Sequence, residues 1–386
     1  MGKKRINIKT KLIHSGINPN EHQGSLSNPI YKNSTLIFKD YDNYLDAKKH
    51  KFSKPYYGRI GNASTKAFEA LMSKLYECDS CIATSSGLSA IILSLHTFLE
   101  KDSECLITEN CYEPVYNFAN NVFKKLGINV KYFSNINFNK LVSKKTKLIY
   151  MESPGSLNYK IEDIEKIITI AKKMKIVTIF DNTWATFLGF NPLKLGVDVV
   201  IESATKYISG HSDNFCGVIA TDYNNFLKIK TTTTRYGDYV HPESCNTAMR
   251  GLKTLNSRME VHCNNAQKIY SFLQKKKIVQ KIYFPPSKND DEHQLWKKYF
   301  LSGNGLLSFS ILNNNDIRIF LNNLKLFKIG FSWGGFESLI LPINKFSPIT
   351  KHSKKSLHSF RIHAGLESSD DLINDLERGF FKYEEK

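Results

Sequence analysis

Two apolar runs, each closed by ionisable chemistry, constrain this chain more than anything else in it. Ile176-Val-Thr-Ile-Phe-Asp181 reads as a buried strand ending in an aspartate. Val197-Asp-Val-Val-Ile-Glu202 reads as another, with Lys206 just beyond it. Upstream, 147–152 is a third run, Ser153-Pro-Gly-Ser156 is a turn, and Ile161, Ile164, Ile167, Ile168 and Ala171 recur at helical spacing. Residues 147–181 are therefore a βαβ unit, and with 197–202 they predict an α/β fold with a doubly wound, mainly parallel sheet. Ligands bind such sheets outside the carboxyl ends of the strands, so Asp181 and Lys206 are expected in one site at one edge.

The residue types there point to particular chemistry. One lysine in a loop is ordinarily a solvated charge, and one aspartate ordinarily a turn or cap residue. Together, at two strand ends, they suit an aldehyde cofactor: the lysine amine captures the aldehyde, and the aspartate keeps a pyridine nitrogen protonated so that the ring draws electrons. Ser203 and Thr205 stand three and one positions before the lysine and can hold a phosphate by their hydroxyls. The cofactor that needs all of this is pyridoxal 5'-phosphate.

Further stretches fit the same site. Ala83-Thr-Ser-Ser-Gly87-Leu88 follows a short strand and opens an apolar helix, so Gly87 marks a helix N-terminus able to receive an anion, with Ser85 or Ser86 as cap. Tyr57 and Arg59, two apart on an extended segment, point to one side and can both donate to a phosphate. Tyr112 follows the strand 105–108 and can stack on a flat ring or carry a proton. Phe331-Ser-Trp-Gly-Gly-Phe-Glu-Ser338 is a glycine pair among aromatics, open to close approach by a ligand. Arg361 lies inside an alternating strand, where it needs an anion; a substrate carboxylate and an internal partner both remain open.

Residues 1–57 have little periodicity and read as an extended arm that must pack on something, such as a neighbouring subunit. Residues 58–246 read as the cofactor domain and 247–386 as a smaller α+β domain, with a long helix opening near Arg250 and a last helix capped by Ser368-Ser-Asp-Asp371. The formal charge is +18, which raises nucleic acid as a partner. The excess is lysine, 46 against eight arginines, scattered beyond small clusters at Lys3-Lys4-Arg5, Lys48-Lys49 and Lys275-Lys276-Lys277, and it accompanies abundant Asn, Ile, Phe and Tyr. That is the drift of an AT-rich coding sequence, so no nucleic-acid partner is expected. No apolar run spans a membrane and no secretory leader is read, so neither a membrane partner nor export is expected. Seven cysteines without a leader predict reduced thiols in a cytoplasm. Cys78-Asp-Ser-Cys81 stands alone, without a second pair for zinc. No HExxH or P-loop occurs, and no metal is expected.

In order, YGRIGN, SSGL, YEP, ESPGS, FDNTW, SATKYISGHSD, RGLKTL, SWGGFES and RIHAGLE resemble the cysteine/methionine-metabolism family of pyridoxal-phosphate enzymes, of the aspartate-aminotransferase fold type, over nearly the whole chain. Ser153-Pro-Gly-Ser156 and Trp333 resemble its bacterial cystathionine β-lyase branch. The resemblance implies that Lys206 holds the cofactor and moves the substrate α-proton, that Asp181 pairs with the ring nitrogen, and that Tyr112 stacks and aids proton transfer. It implies a phosphate held by the Gly87 and Leu88 amides, Ser203 and Thr205, and completed by Tyr57 and Arg59 of a neighbouring subunit, hence a homodimer or a tetramer built as a dimer of dimers. Arg361, with Ser332 and Trp333, would bind the substrate carboxylate. The implied reaction is β-elimination on L-cystathionine, a small-molecule substrate, giving homocysteine, pyruvate and ammonia, as in methionine biosynthesis. A γ-acting relative (γ-synthase or γ-lyase) or a broader cysteine-conjugate β-lyase is the alternative. Ile60, Asn62 and Ala63 and the 239–246 stretch depart from the β-lyase pattern.

Overall fold

The computed structural model describes residues 6–344, 346 and 357–385. The Lys3-Lys4-Arg5 cluster lies outside them. A seven-stranded sheet is built from β1 (Ser80–Thr84), β2 (Glu104–Thr108), β3 (Asn129–Phe133), β4 (Thr146–Glu152), β5 (Val177–Asp181), β6 (Val199–Ser203) and β7 (Gly217–Thr221), in the order β1-β7-β6-β5-β4-β2-β3. β7 runs antiparallel to β1 and β6; the remaining pairs are parallel. The alternation of strand and helix thus yields the expected mainly parallel α/β sheet. Parallel strands are covered on both faces, and their near-continuous apolar runs follow from that. Phe180, Ile149 and Val200 pack on one face, Ile179, Leu148 and Val199 on the other.

A second sheet has five strands: β8 (Val279–Tyr283), β9 (Leu306–Leu312), β10 (Lys328–Ile329), β11 (Leu339–Ile343) and β12 (Leu357–His363), in the order β10-β11-β12-β9-β8. All pairs but β10–β11 are antiparallel. Its core joins Phe309, Phe360 and Ile362 to the far half of one long helix and to Leu372, Leu376 and Phe380 of the last helix.

That long helix, Pro242–Leu273, has 32 residues and begins eight positions before the expected Arg250. Pro242 at its first turn, where no amide donor is required, and Glu243 beside the positive dipole end explain the earlier start. In the last helix, Ser369–Glu384, Ser368 holds the cap position, but its side chain makes no capping bond; Asp370 and Asp371 complement the dipole instead. The arm is less extended than expected, carrying helices at Ile8–His14 and Tyr41–Lys49. Among the described residues no helix is long and apolar enough to cross a membrane.

Candidate active site

Register brings the strand ends together. Glu152 pairs with Asp181 across β4–β5, and Asp181 with Ile201 across β5–β6. The Asp181 carboxylate is buried. Its Oδ1 accepts from the Thr183 amide at 2.9 Å and the Thr183 hydroxyl at 2.5 Å, and its Oδ2 from the Tyr150 hydroxyl at 3.3 Å. Thr183 Oγ1 in turn accepts from the Ser203 amide at 2.8 Å, so one relay joins β5 to β6. Burial raises the Asp181 pKa despite these bonds. No Lys, Arg or His pairs with it among the described residues. A buried carboxylate surrounded only by neutral donors fits a cationic ring nitrogen.

Glu152 is a second carboxyl, half-buried. It accepts from the Tyr112 amide at 2.6 Å and the Ser156 hydroxyl at 2.5 Å. Burial, then the Asp181 charge, push it up to about 8. Tyr112 is thereby fixed by its backbone, while its side chain stays 46% exposed at the opening of a short helix. Burial and the Glu152 charge raise its hydroxyl pKa, and the nearby Arg361 opposes them.

The helix Gly87–Phe98 starts against the end of β6. Ser86 caps it by accepting from the Ser89 amide at 3.1 Å. The Gly87 and Leu88 amides, in the helix's first turn, have no partner within the helix. A Cβ at Gly87 would lie 2.5 Å from Ser203 Cβ and 2.6 Å from Ser203 Oγ, so only glycine sets that amide beside that hydroxyl. This cradle fits a phosphate. Thr205 is nearby in sequence, but its hydroxyl is engaged with Cys216, accepting from the amide at 3.1 Å and donating to the carbonyl at 3.3 Å. Asp238 steadies the loop before the helix, accepting from the Ser85 and Ser89 hydroxyls at 2.6 and 2.7 Å.

Lys206 points at the second sheet. Its Nζ donates to Ser332 Oγ at 2.8 Å and lies 5.3 Å from the Trp333 ring centre. Burial, then the Arg361 charge, lower its pKa to about 8. Such an amine is a usable base near neutrality. Arg361 is buried on β12; its Nη2 donates to the carbonyls of Phe331 at 2.6 Å and Ser332 at 3.2 Å. Among the described residues it meets no acidic side chain, so the internal-salt-bridge alternative is not what they hold. Its guanidinium keeps donors for an outside carboxylate.

The turn after Lys206 is gripped from the long helix. Arg258 donates to the carbonyls of Tyr207 at 2.7 Å, Ile208 at 3.3 Å and Gly251 at 2.8 Å.

Lys206, Asp181, Gly87 and Ser203 thus share one edge of the parallel sheet, and Ser332 and Trp333 meet Lys206 from the second sheet, beside Arg361. Tyr57 and Arg59 do not join them within this chain: Tyr57 is 41% exposed, and Arg59 donates to the Thr234 carbonyl at 2.8 Å. Sequence reasoning passed over Thr183, Tyr150, Glu152, Asp238 and Arg258. Thr183 alone had a local signal, two positions after Asp181; the others act across register or between distant elements.

A lysine of lowered pKa, a buried unpaired aspartate and a glycine-opened helix, gathered at one sheet edge, define a pyridoxal-phosphate enzyme. Residues 9–381 match the family described as Cys/Met metabolism PLP-dependent enzyme, and the chain belongs to that family of carbon–sulfur lyases and synthases. A Wolbachia pipientis protein named L-alanine/L-glutamate racemase is 33% identical over 95% of this chain and 94% of its own. The cystathionine β-lyase of Escherichia coli is 30% identical over 97% of this chain and 98% of its own. A solved cystathionine γ-lyase from Lactobacillus plantarum, in complex with L-serine, superposes with a TM-score of 0.89 at 28% identity, covering 98% of this chain and all of that one.

Proposed function

We propose that the protein catalyses β-elimination on L-cystathionine, giving homocysteine, pyruvate and ammonia. The observation that carries this reading is Trp333 seated over Lys206, since Trp333, with Ser153-Pro-Gly-Ser156, is one of the two points at which the chain resembles β-lyases. Pyridoxal phosphate, when bound, supplies an aldehyde for the substrate amine and a ring that takes up the electron pair left by the α-proton.

This chain's residues do the rest. Arg361 holds the α-carboxylate, with Ser332 and Trp333 closing over it. Lys206 Nζ removes the α-proton, and its lowered pKa leaves a usable fraction unprotonated near pH 7. Asp181 would pair with the protonated ring nitrogen, whose charge would favour its ionised form. Lys206 or Tyr112 delivers a proton to the departing homocysteine sulfur as the C–S bond breaks. Water then converts the three-carbon remainder to pyruvate and ammonia. The Gly87 and Leu88 amides and Ser203 would hold the phosphate; Thr205, expected to join them, has its hydroxyl proton spent on the Cys216 carbonyl.

Tyr57 and Arg59 serve the phosphate of a neighbouring subunit, in a tetramer built as a dimer of dimers. Two features support this: both residues stand apart from their own cradle, and the arm exposes apolar side chains, Ile37 at 94% and Leu26 at 73%. Gel filtration should give four times the 44.2 kDa chain mass. The soluble cytoplasm is the proposed location.

The Wolbachia protein's name favours a second reading, amino-acid racemisation, in which Lys206 and Tyr112 exchange the α-proton without loss of a thiol. Identifying the product separates the readings. Pyruvate with homocysteine supports β-elimination. 2-Oxobutanoate with cysteine moves the chain to the γ-acting alternative. D-alanine formed from L-alanine, with no keto acid from L-cystathionine, establishes the racemase.

A further inference from the structure

We infer that His363 is a positioning residue: as a neutral imidazole it holds the 333–337 loop so that Trp333 rests against Lys206. This rests on the proposed use of that loop for substrate, and goes beyond it by naming what sets the loop's pose.

The argument starts from β12. Arg361 and His363 are two apart on the strand, so both face one side of the sheet. Both reach the loop 331–338, at different points. Arg361 takes the carbonyls of Phe331 and Ser332 at its near end. Glu367 takes the Ser338 amide and hydroxyl, both at 2.8 Å, at its far end. The middle is held by His363 and, at Phe336, by the Leu366 amide, which donates to its carbonyl at 2.8 Å. The Nε2 of His363 accepts from the Gly334 amide at 3.1 Å, and its Nδ1 meets the Glu337 carbonyl oxygen at 3.1 Å. Ser212 adds one contact to the Glu337 side chain, at 2.5 Å.

These partners decide the protonation state. An amide N–H only donates, so Nε2 must be bare. A carbonyl only accepts, so Nδ1 must carry the proton. A doubly protonated ring would abandon Gly334. The surroundings agree: His363 is 1% exposed, and burial, then the neighbouring His262, hold its pKa well below the usual range. His262 stands 4.9 Å away, ring centre to ring centre, with its Nδ1 on the Ala364 carbonyl at 2.8 Å.

Gly334 is where the loop meets the cofactor lysine. It is buried, with φ at +86°, and a Cβ there would lie 2.9 Å from Tyr207 N and 3.0 Å from Lys206 C. One bond from His363 therefore fixes the backbone lying directly on Lys206, and Trp333 is the residue before it. Without the acceptor, the Gly334 amide is buried and unpaired, which favours a shifted loop.

The test compares His363→Leu, which lacks both polar contacts, with His363→Gln, whose amide oxygen can still accept at the Nε2 position. Hydrogen exchange at the Gly334 amide and steady-state kinetics with L-cystathionine are the readouts, with cofactor absorbance as control. In His363→Leu, Gly334 should exchange about tenfold faster or more, as a lost buried hydrogen bond implies. KM should rise by a similar factor with the cofactor absorbance unmoved, and His363→Gln should recover most of both. Equal behaviour of the two variants, or a fall in kcat with KM unchanged, overturns the inference. So does rapid Gly334 exchange in the unmodified protein, which needs no variant to fold. Should L-cystathionine prove not to be the substrate, the exchange data decide alone: a slow Gly334 amide freed by Leu and restored by Gln upholds the inference even as the proposed reaction falls.

Discussion

The two sheets contribute to the site in different ways. The parallel sheet offers residues at or beyond its strand ends: Asp181 closes β5, Ser203 closes β6, and Lys206 follows three positions later. The antiparallel sheet offers Arg361 from within β12 and Ser332 and Trp333 from a loop lying on it. Strand-end residues stand where backbone groups are free to turn toward a ligand. A mid-strand arginine must instead be satisfied on the spot, and the carbonyls of Phe331 and Ser332 do this. The first arrangement suits a group that stays, the second a substrate that comes and goes. Damage to the parallel sheet's residues should therefore lower kcat, and damage to the antiparallel sheet's residues should raise KM.

Lys206→Ala is the most severe break. Turnover should fall roughly 10³-fold or more, as for loss of a general base, and cofactor absorbance should show that the covalent link is gone. Substantial residual keto-acid release would remove Lys206 from its role. Next comes a matched pair. Arg361→Ala should raise KM roughly a hundredfold, the weight of a charged hydrogen bond, with a smaller change in kcat. Asp181→Asn should lower kcat while KM moves little. If both variants move the same constant, the division of labour between the sheets fails. Trp333→Leu should be milder, a few-fold loss of pyruvate release together with a rise in 2-oxobutanoate, read by separating the keto acids.

The smallest effect lies beneath the parallel sheet. Glu202 is buried on β6, accepts from the Tyr76 hydroxyl, and burial pushes it up to about 8. The folded protein therefore binds this proton more tightly than the unfolded chain does. Stability from this group is complete below the ordinary carboxyl range and is lost as pH rises toward 8. Glu202→Gln should level that decline, so that the variant gains on the parent at pH 9 relative to pH 5 in denaturant melts. An unchanged difference between the two pH values would show that Glu202 titrates normally.

Much of the parallel half was legible because its chemistry is local to strand ends. Asp181 terminates an apolar run, Lys206 stands just beyond another, and Gly87 opens a helix; periodicity marks such positions. Thr183, Tyr150 and Glu152 became visible only through register, which pairs Glu152 with Asp181 across two strands. The antiparallel half was legible in part. Arg361 stood out as a charge in a strand, whereas His363 did not, because its partner Gly334 lies 29 residues upstream on another segment. The early start of the long helix had a readable sign in Pro242, outweighed by the polar run that follows it. The arm's helices are short and weakly patterned, and their order depends on packing rather than propensity.

The helix Pro242–Leu273 has one more implication. At 1.5 Å per residue it is a rod about 48 Å long. Near its middle Arg258 holds the backbone after Lys206, and one turn on His262 and Asn265 hold the carbonyls of Ala364, Gly365 and Glu367 beside β12. Both halves of the site are thus referenced to a single ruler, with under two turns between the clamps. On the proposed reading, an arriving amino acid would find its carboxylate and amine positions already spaced, so little binding energy would be diverted into bringing two lobes together.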